Sequence, residues 1–217
     1  MTTLDTAQLI ALAGALGWAS GVRLYLVVLL TGLAGFMGWV PLPAGLQLLA
    51  HPVVLGVSGF MVFIEFFADK IPGLDSLWDV VHGVIRIPAG AALAAAVFGA
   101  DNGLGALVAA LLGGTLAATS FAAKATSRAA INTSPEPFSN IGASLLEDGL
   151  VPLGLWLAVV HPLVFVVLLA IVLALLAPAV CARGPDFQRQ AGPWHCRRFY
   201  LEVSFLQTER PPCLKKS

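Results

Sequence analysis

Seven apolar runs, bounded by Gly, Pro or charged residues, divide the first 180 residues. They are Leu4 to Ser20, Leu24 to Val40, Pro52 to Ala68, Val84 to Ala100, Gly103 to Ala123, Ile141 to Val160 and Leu163 to Val180. A helix crosses a bilayer with about 20 apolar residues, and about 17 is the practical minimum. The runs therefore predict an all-α, polytopic membrane helix bundle of about seven spans over residues 1–180. Residues 181–217 read as a polar tail without regular structure. The sixth run differs from the rest, because it holds Glu147, Asp148 and Pro152 and its strictly apolar part, Leu150 to Val160, is too short to cross alone. It crosses only if both carboxylates enter the membrane's edge; six spans, or a re-entrant hairpin, are the alternatives.

Ala50-His51-Pro52 recurs as Val160-His161-Pro162, and Ser20-Gly21-Val22-Arg23 opens a span much as Ser144-Leu145-Leu146-Glu147 does. Two three-span repeats joined by a linker span have this pattern, as do some transporters that bind substrate at a repeat interface. Chance echoes in an apolar alphabet produce it equally well. In the repeat reading Glu147 and Asp148 take the place of Arg23, so opposite charges face each other across a pseudo-axis.

Composition strengthens the membrane assignment. Hydrophobic residues make up 58% of the chain and charged residues 11%, against roughly 25% charged in soluble domains. The neutral total hides an asymmetry: five basic and nine acidic residues precede Val180, and seven basic and three acidic follow it. No basic stripe with interleaved aromatics is present, which removes nucleic acid as a partner. Cys181, Cys196 and Cys213 are too widely spaced for a metal or redox pair and read as free thiols. Met1 to Ala19 lacks a basic leader and reads as the first span, not a signal peptide.

The basic residues also orient the chain, since cytoplasmic connections are enriched in Lys and Arg. Arg23, then Lys70 and Arg86, then Lys124 and Arg128 fall in alternate connections, and those around Pro41 to His51, Asp101-Asn102 and His161 carry none. The pattern predicts a multi-pass inner-membrane protein with its N-terminus outside and its C-terminus cytoplasmic. Polar chemistry then gathers on the cytoplasmic side, in Phe63 to Arg86 and Lys124 to Gly149.

Glu65 lies inside an apolar run, with Asp69 one helical turn on, so both point from one side of the helix. A carboxylate at membrane depth costs about 3 kcal/mol on insertion scales and faces a partner or a water-filled cavity; Lys70, Arg23 and Arg86 are the candidate partners. Leu74 to Arg86 is amphipathic at helical spacing and reads as a helix lying in the interface. The sharper alternative has Asp75, Asp79 and His82 holding a divalent cation with a phosphate, the one cofactor the chain suggests. In the second stretch, Lys124 and Arg128 are one turn apart, followed by hydroxyl and amide residues that include Asn140. They suit an anionic head group, or they only anchor a helix end. No nucleophile elbow, phosphate loop, dinucleotide fingerprint or two-His zinc motif occurs, which favours a role outside catalysis.

The run Glu65-x-x-x-Asp69-Lys70-x-Pro72-x-x-Asp75-x-x-x-Asp79, continuing to Arg86 and Gly90, resembles a bacterial membrane family with a domain of unknown function, DUF4126. Ser134-Pro135-Glu136-Pro137-x-Ser139-Asn140 and Glu147-Asp148 share the likeness, which covers about residues 8 to 178. The resemblance implies no activity. Three roles stay open: a small transporter or flippase for an anionic or lipid-like substrate; a metal-dependent membrane enzyme acting on a lipid or isoprenoid phosphate; and a non-catalytic scaffold. The first is favoured, its path running past Glu65, Asp69, Lys70, Arg86, Arg23, Lys124, Arg128, Asn140, Glu147 and Asp148.

Overall fold

The computed structural model describes residues 4–68, 74–99, 102–131 and 137–190. Among them are six α-helices, a 3-10 segment and no strand. The chain falls into two compact units, Met1–Leu169 and Ala170–Ser217. The second comprises the remainder of the last helix and residues beyond the described set.

Helix α1 (Thr6–Phe36) opens with a capping box, in which Asp5 accepts from the Gln8 amide at 2.7 Å and the Gln8 side chain accepts from the Asp5 amide. It ends where Gly38 takes φ +71 and Trp39 N–H donates to the Ala34 carbonyl, 2.9 Å. Arg23, at φ −146 and ψ 84, breaks it internally. A straight helix would hold Leu12 and Thr31 about 28 Å apart, yet both line one cavity of about 390 Å³ beside Leu155 and Val159. The chain therefore doubles back at Arg23. Its two arms, 6–22 and 24–36, correspond to the first two apolar runs.

The 3-10 segment Ala44–Ala50 meets α2 (Pro52–Ala68) at a 67° bend. Then come α3 (Leu74–Phe98), α4 (Gly103–Ile131), α5 (Pro137–Val160) and α6 (Pro162–Gln190). Judged by length and composition alone, α1, α3, α4 and α5 are long and apolar enough to cross a membrane, and the bent pair makes a fifth. The count differs from seven because α1, broken at Arg23, enters it as a single helix, and because the described apolar part of α6, Pro162–Leu176, is shorter than a span.

Small residues allow the close packing. A Cβ on Gly17 would stand 2.6 Å from the Gly113 Cα, so α1 and α4 touch through bare backbone, the contact that small residues permit where lipid supplies no hydrophobic drive. Leu12, Leu16, Val27, Leu46, Leu93 and Val151 fill the core around this seam.

Three expectations are revised. Leu74 to Arg86 is not a separate interfacial helix: it continues without interruption into α3, because Arg86 and His82 are buried rather than presented to solvent. Pro41 to His51 is more than a connection, since Leu46 is buried and Gly45 backs onto Ala96. Helix α6 runs on to Gln190, ten residues into the segment read as an unstructured tail; residues 191–217 lie outside the described set.

Candidate functional site: a buried layer of charge

The reversal of α1 leaves backbone carbonyls at the end of its first arm without helical partners, as at any helix terminus. Helix α4 supplies them: Ser120 Oγ donates to the Trp18 carbonyl at 2.6 Å and Lys124 Nζ to the Val22 carbonyl at 3.2 Å. The Arg23 side chain, 1% exposed, turns instead to α5. Its Nε lies 2.8 Å from Asp148 Oδ1, and its Nη2 donates to Ser144 Oγ at 2.8 Å. Ser144 and Asp148 are one helical turn apart, so one guanidinium reads both.

Glu147, the next residue round the helix, serves a different group. Arg128 Nη2 donates to its Oε2 at 3.1 Å, and Lys124 Nζ lies 3.3 Å from the same oxygen. Lys124 thus joins the carbonyl end of α1 to the carboxylate of α5. On the far side of α1, Arg86 Nη2 of α3 donates to Glu65 Oε1 of α2, and both side chains are 0% exposed. Nearby, His82 Nδ1 donates to the Trp78 carbonyl at 3.0 Å; its ring stacks on Trp78 and meets the edge of Tyr25.

Arg23, Arg86, Lys124, Arg128, Glu65, Glu147 and Asp148 thus form a layer toward one end of the bundle. Pro52 and Phe98 lie about 20 Å from it along their helices. The opposite end carries Trp39 and Trp156, both exposed, as residues of an interfacial aromatic belt are.

Of Glu65's three candidate partners, Arg86 meets it, and Lys70 lies outside the described residues. Of the two carboxylates expected to face Arg23, Asp148 meets it, while Glu147 turns to Arg128 and Lys124, because adjacent helical positions face directions about 100° apart. Asp69 and Lys70 lie outside the described residues, as do the side chains of Asp75, Asp79 and Asn140. No three His, Cys, Asp or Glu side chains gather among the described residues, and the metal reading at Asp75, Asp79 and His82 turns on two side chains beyond them. Sequence reasoning missed Tyr25, although a phenol two positions after Arg23 in an apolar run was a visible signal.

A second cavity of about 430 Å³, lined mainly by apolar side chains, lies along the same helices as the Glu65–Arg86 pair. It lies between the second arm of α1, α2 and α3, with Tyr25, Val28, Ser58 and Leu93 on its walls. Ser58 is about two turns from Glu65 on its helix, and Leu93 about two turns from Arg86.

No curated protein and no solved structure matches this chain. The family model described as a domain of unknown function, DUF4126, matches residues 10–181, a stretch that contains every member of the charged layer. The chain is a helical membrane protein and belongs to the DUF4126 family.

Proposed function

We propose that this protein is a small transporter or flippase for an anionic, lipid-like substrate, with α2 as its moving element and the Glu65–Arg86 pair as the latch. One observation carries the reading: α2 buries only Ser58, Glu65 and Ala68, so its deepest tie to the bundle is ionic. Phe60 and Phe63 are exposed. Burying two charges away from water is weak as a stabilising device, and ionisable residues inside membranes mark substrate or ion paths.

An anionic head group offers Arg86 a competing carboxylate or phosphate, which releases Glu65 and frees α2 to hinge. The neighbouring apolar cavity suits the substrate's hydrocarbon. Arg23, Lys124 and Arg128, with their carboxylates, hold the reversal of α1 and the start of α5 as a fixed frame. The basic residues support an inner-membrane orientation with the charged layer toward the cytoplasm, N-terminus outside and C-terminus inside.

The test is flipping of fluorescent phosphatidylglycerol in proteoliposomes, read by external dithionite. Wild-type protein should bleach label beyond the outer leaflet's share, and Glu65→Gln should change the rate. Wild-type traces that match protein-free vesicles refute the activity; a Glu65→Gln trace matching an active wild type refutes the site.

A further inference from the structure

The 390 Å³ cavity lies at the end away from the charged layer, walled by both arms of α1, by the Trp39–Leu42 loop and by Pro152, Leu155, Trp156, Val159 and Val160 of α5. Its volume falls within the roughly 300–1,000 Å³ of small-ligand sites. The described residues that line it include no ionisable group and one hydroxyl, that of Thr31. A helical threonine ordinarily back-bonds to the carbonyl four residues earlier, as Thr115 does to Leu111 at 2.7 Å and Thr119 to Thr115 at 2.8 Å. Thr31 does not. It is 5% exposed, and its buried Oγ1 has no hydrogen-bond partner among the described residues.

Leaving a buried hydroxyl unpaired is unfavourable, and Thr31 lines the cavity, so a turn of its side chain about χ1 would bring the hydroxyl to a partner there. We propose that this cavity binds an uncharged, largely hydrocarbon molecule with a single terminal oxygen, such as a long-chain or isoprenoid alcohol, whose oxygen hydrogen-bonds Thr31 Oγ1. A charged head group is excluded, because nothing in the described lining would neutralise it and burying an unpaired charge is far costlier than burying a hydroxyl. Trp39 and Trp156 flank the cavity with amphipathic rings of the kind that sit at a membrane's edge, placing the entrance where such molecules concentrate. The site is independent of the charged layer, so it stands or falls separately from transport.

The test is photolabelling of the full-length protein in nanodiscs with a diazirine-tagged long-chain alcohol, with label mapped by peptide mass. Saturable label should fall on the second arm of α1 and on α5 after Pro152, and dodecanol should compete where dodecane does not. Thr31→Val, which keeps the shape but removes the oxygen, should weaken labelling roughly three- to tenfold, the worth of one hydrogen bond; Thr31→Ser should retain it. Thermal stability of Thr31→Val should be unchanged or higher, since an unpaired buried hydroxyl is gone. Non-saturable labelling, equal competition by dodecane, or wild-type labelling of Thr31→Val overturns the proposal. A marked stability loss in Thr31→Val overturns its premise that the hydroxyl lacks a partner.

Discussion

Neutralising Glu65 probes the pair on which the functional reading rests. Glu65 and Arg86 are both fully buried. Removing one member of such a pair costs about 3–5 kcal/mol, whereas replacing both with apolar residues of similar volume is neutral or even stabilising by about 1–4 kcal/mol. Glu65→Leu and Arg86→Met should each lower the thermal midpoint of detergent-solubilised protein. The double variant Glu65→Leu/Arg86→Met should recover most of the loss while abolishing lipid flipping. A double-mutant cycle between the two positions should then return a coupling of about 2 kcal/mol or more, since directly paired residues reach about 3 kcal/mol. Additive losses, with coupling below about 0.5 kcal/mol, would show that the pair is not energetically joined and would remove the latch.

Other substitutions test the rest of the layer and the packing. Exchanging the charges as Arg23→Asp/Asp148→Arg should partly restore the stability lost in either single variant. The exchange Arg23→Glu/Glu147→Arg should not, because Glu147 answers to Arg128 and Lys124; rescue of the second pair and not the first would reverse the assignment. Gly17→Ala forces a methyl against the Gly113 backbone and should cost about 1–3 kcal/mol, the range for overpacking, measured by thermal unfolding; an unchanged midpoint would deny the close seam. With the three native cysteines replaced, Asn102→Cys should react in intact cells with a membrane-impermeant maleimide, because Asn102 joins α3 to α4 at the end away from the charges. Protection of that position until lysis would invert the orientation.

Much of this arrangement was legible before the coordinates. The apolar run Pro52 to Ala68 coincides with α2, and the lone Arg23 between two apolar runs marked the place where α1 reverses. The alternation of basic residues placed the charges at one end, because each crossing of about the same length returns the chain to the same side. What was hidden depends on rotation about helix axes. Glu147 and Asp148 are adjacent in sequence, and only the packed register of α5 against α1 and α4 sends one to Arg128 and the other to Arg23. Amphipathicity in Leu74 to Arg86 suggested a surface helix because periodicity reports a polar face without saying what that face meets; here Arg86 meets Glu65 across from α2. Thr31 carried no signal at all, since a single hydroxyl in an apolar run is unremarkable until the second arm of α1 folds back beside the first and its wall becomes a cavity.

The most direct measurement of the central claim, that an ionic latch restrains a mobile α2, is the spin-label distance between Phe63→Cys on α2 and Val84→Cys on α3. Both are outward-facing positions near the pair, and the label would be read by pulsed electron resonance in nanodiscs with the native cysteines replaced. Wild-type protein should give one narrow distance distribution, and Glu65→Gln should add a second, longer population. A distribution that stays single and narrow in Glu65→Gln, in a protein that remains folded, would contradict the latch.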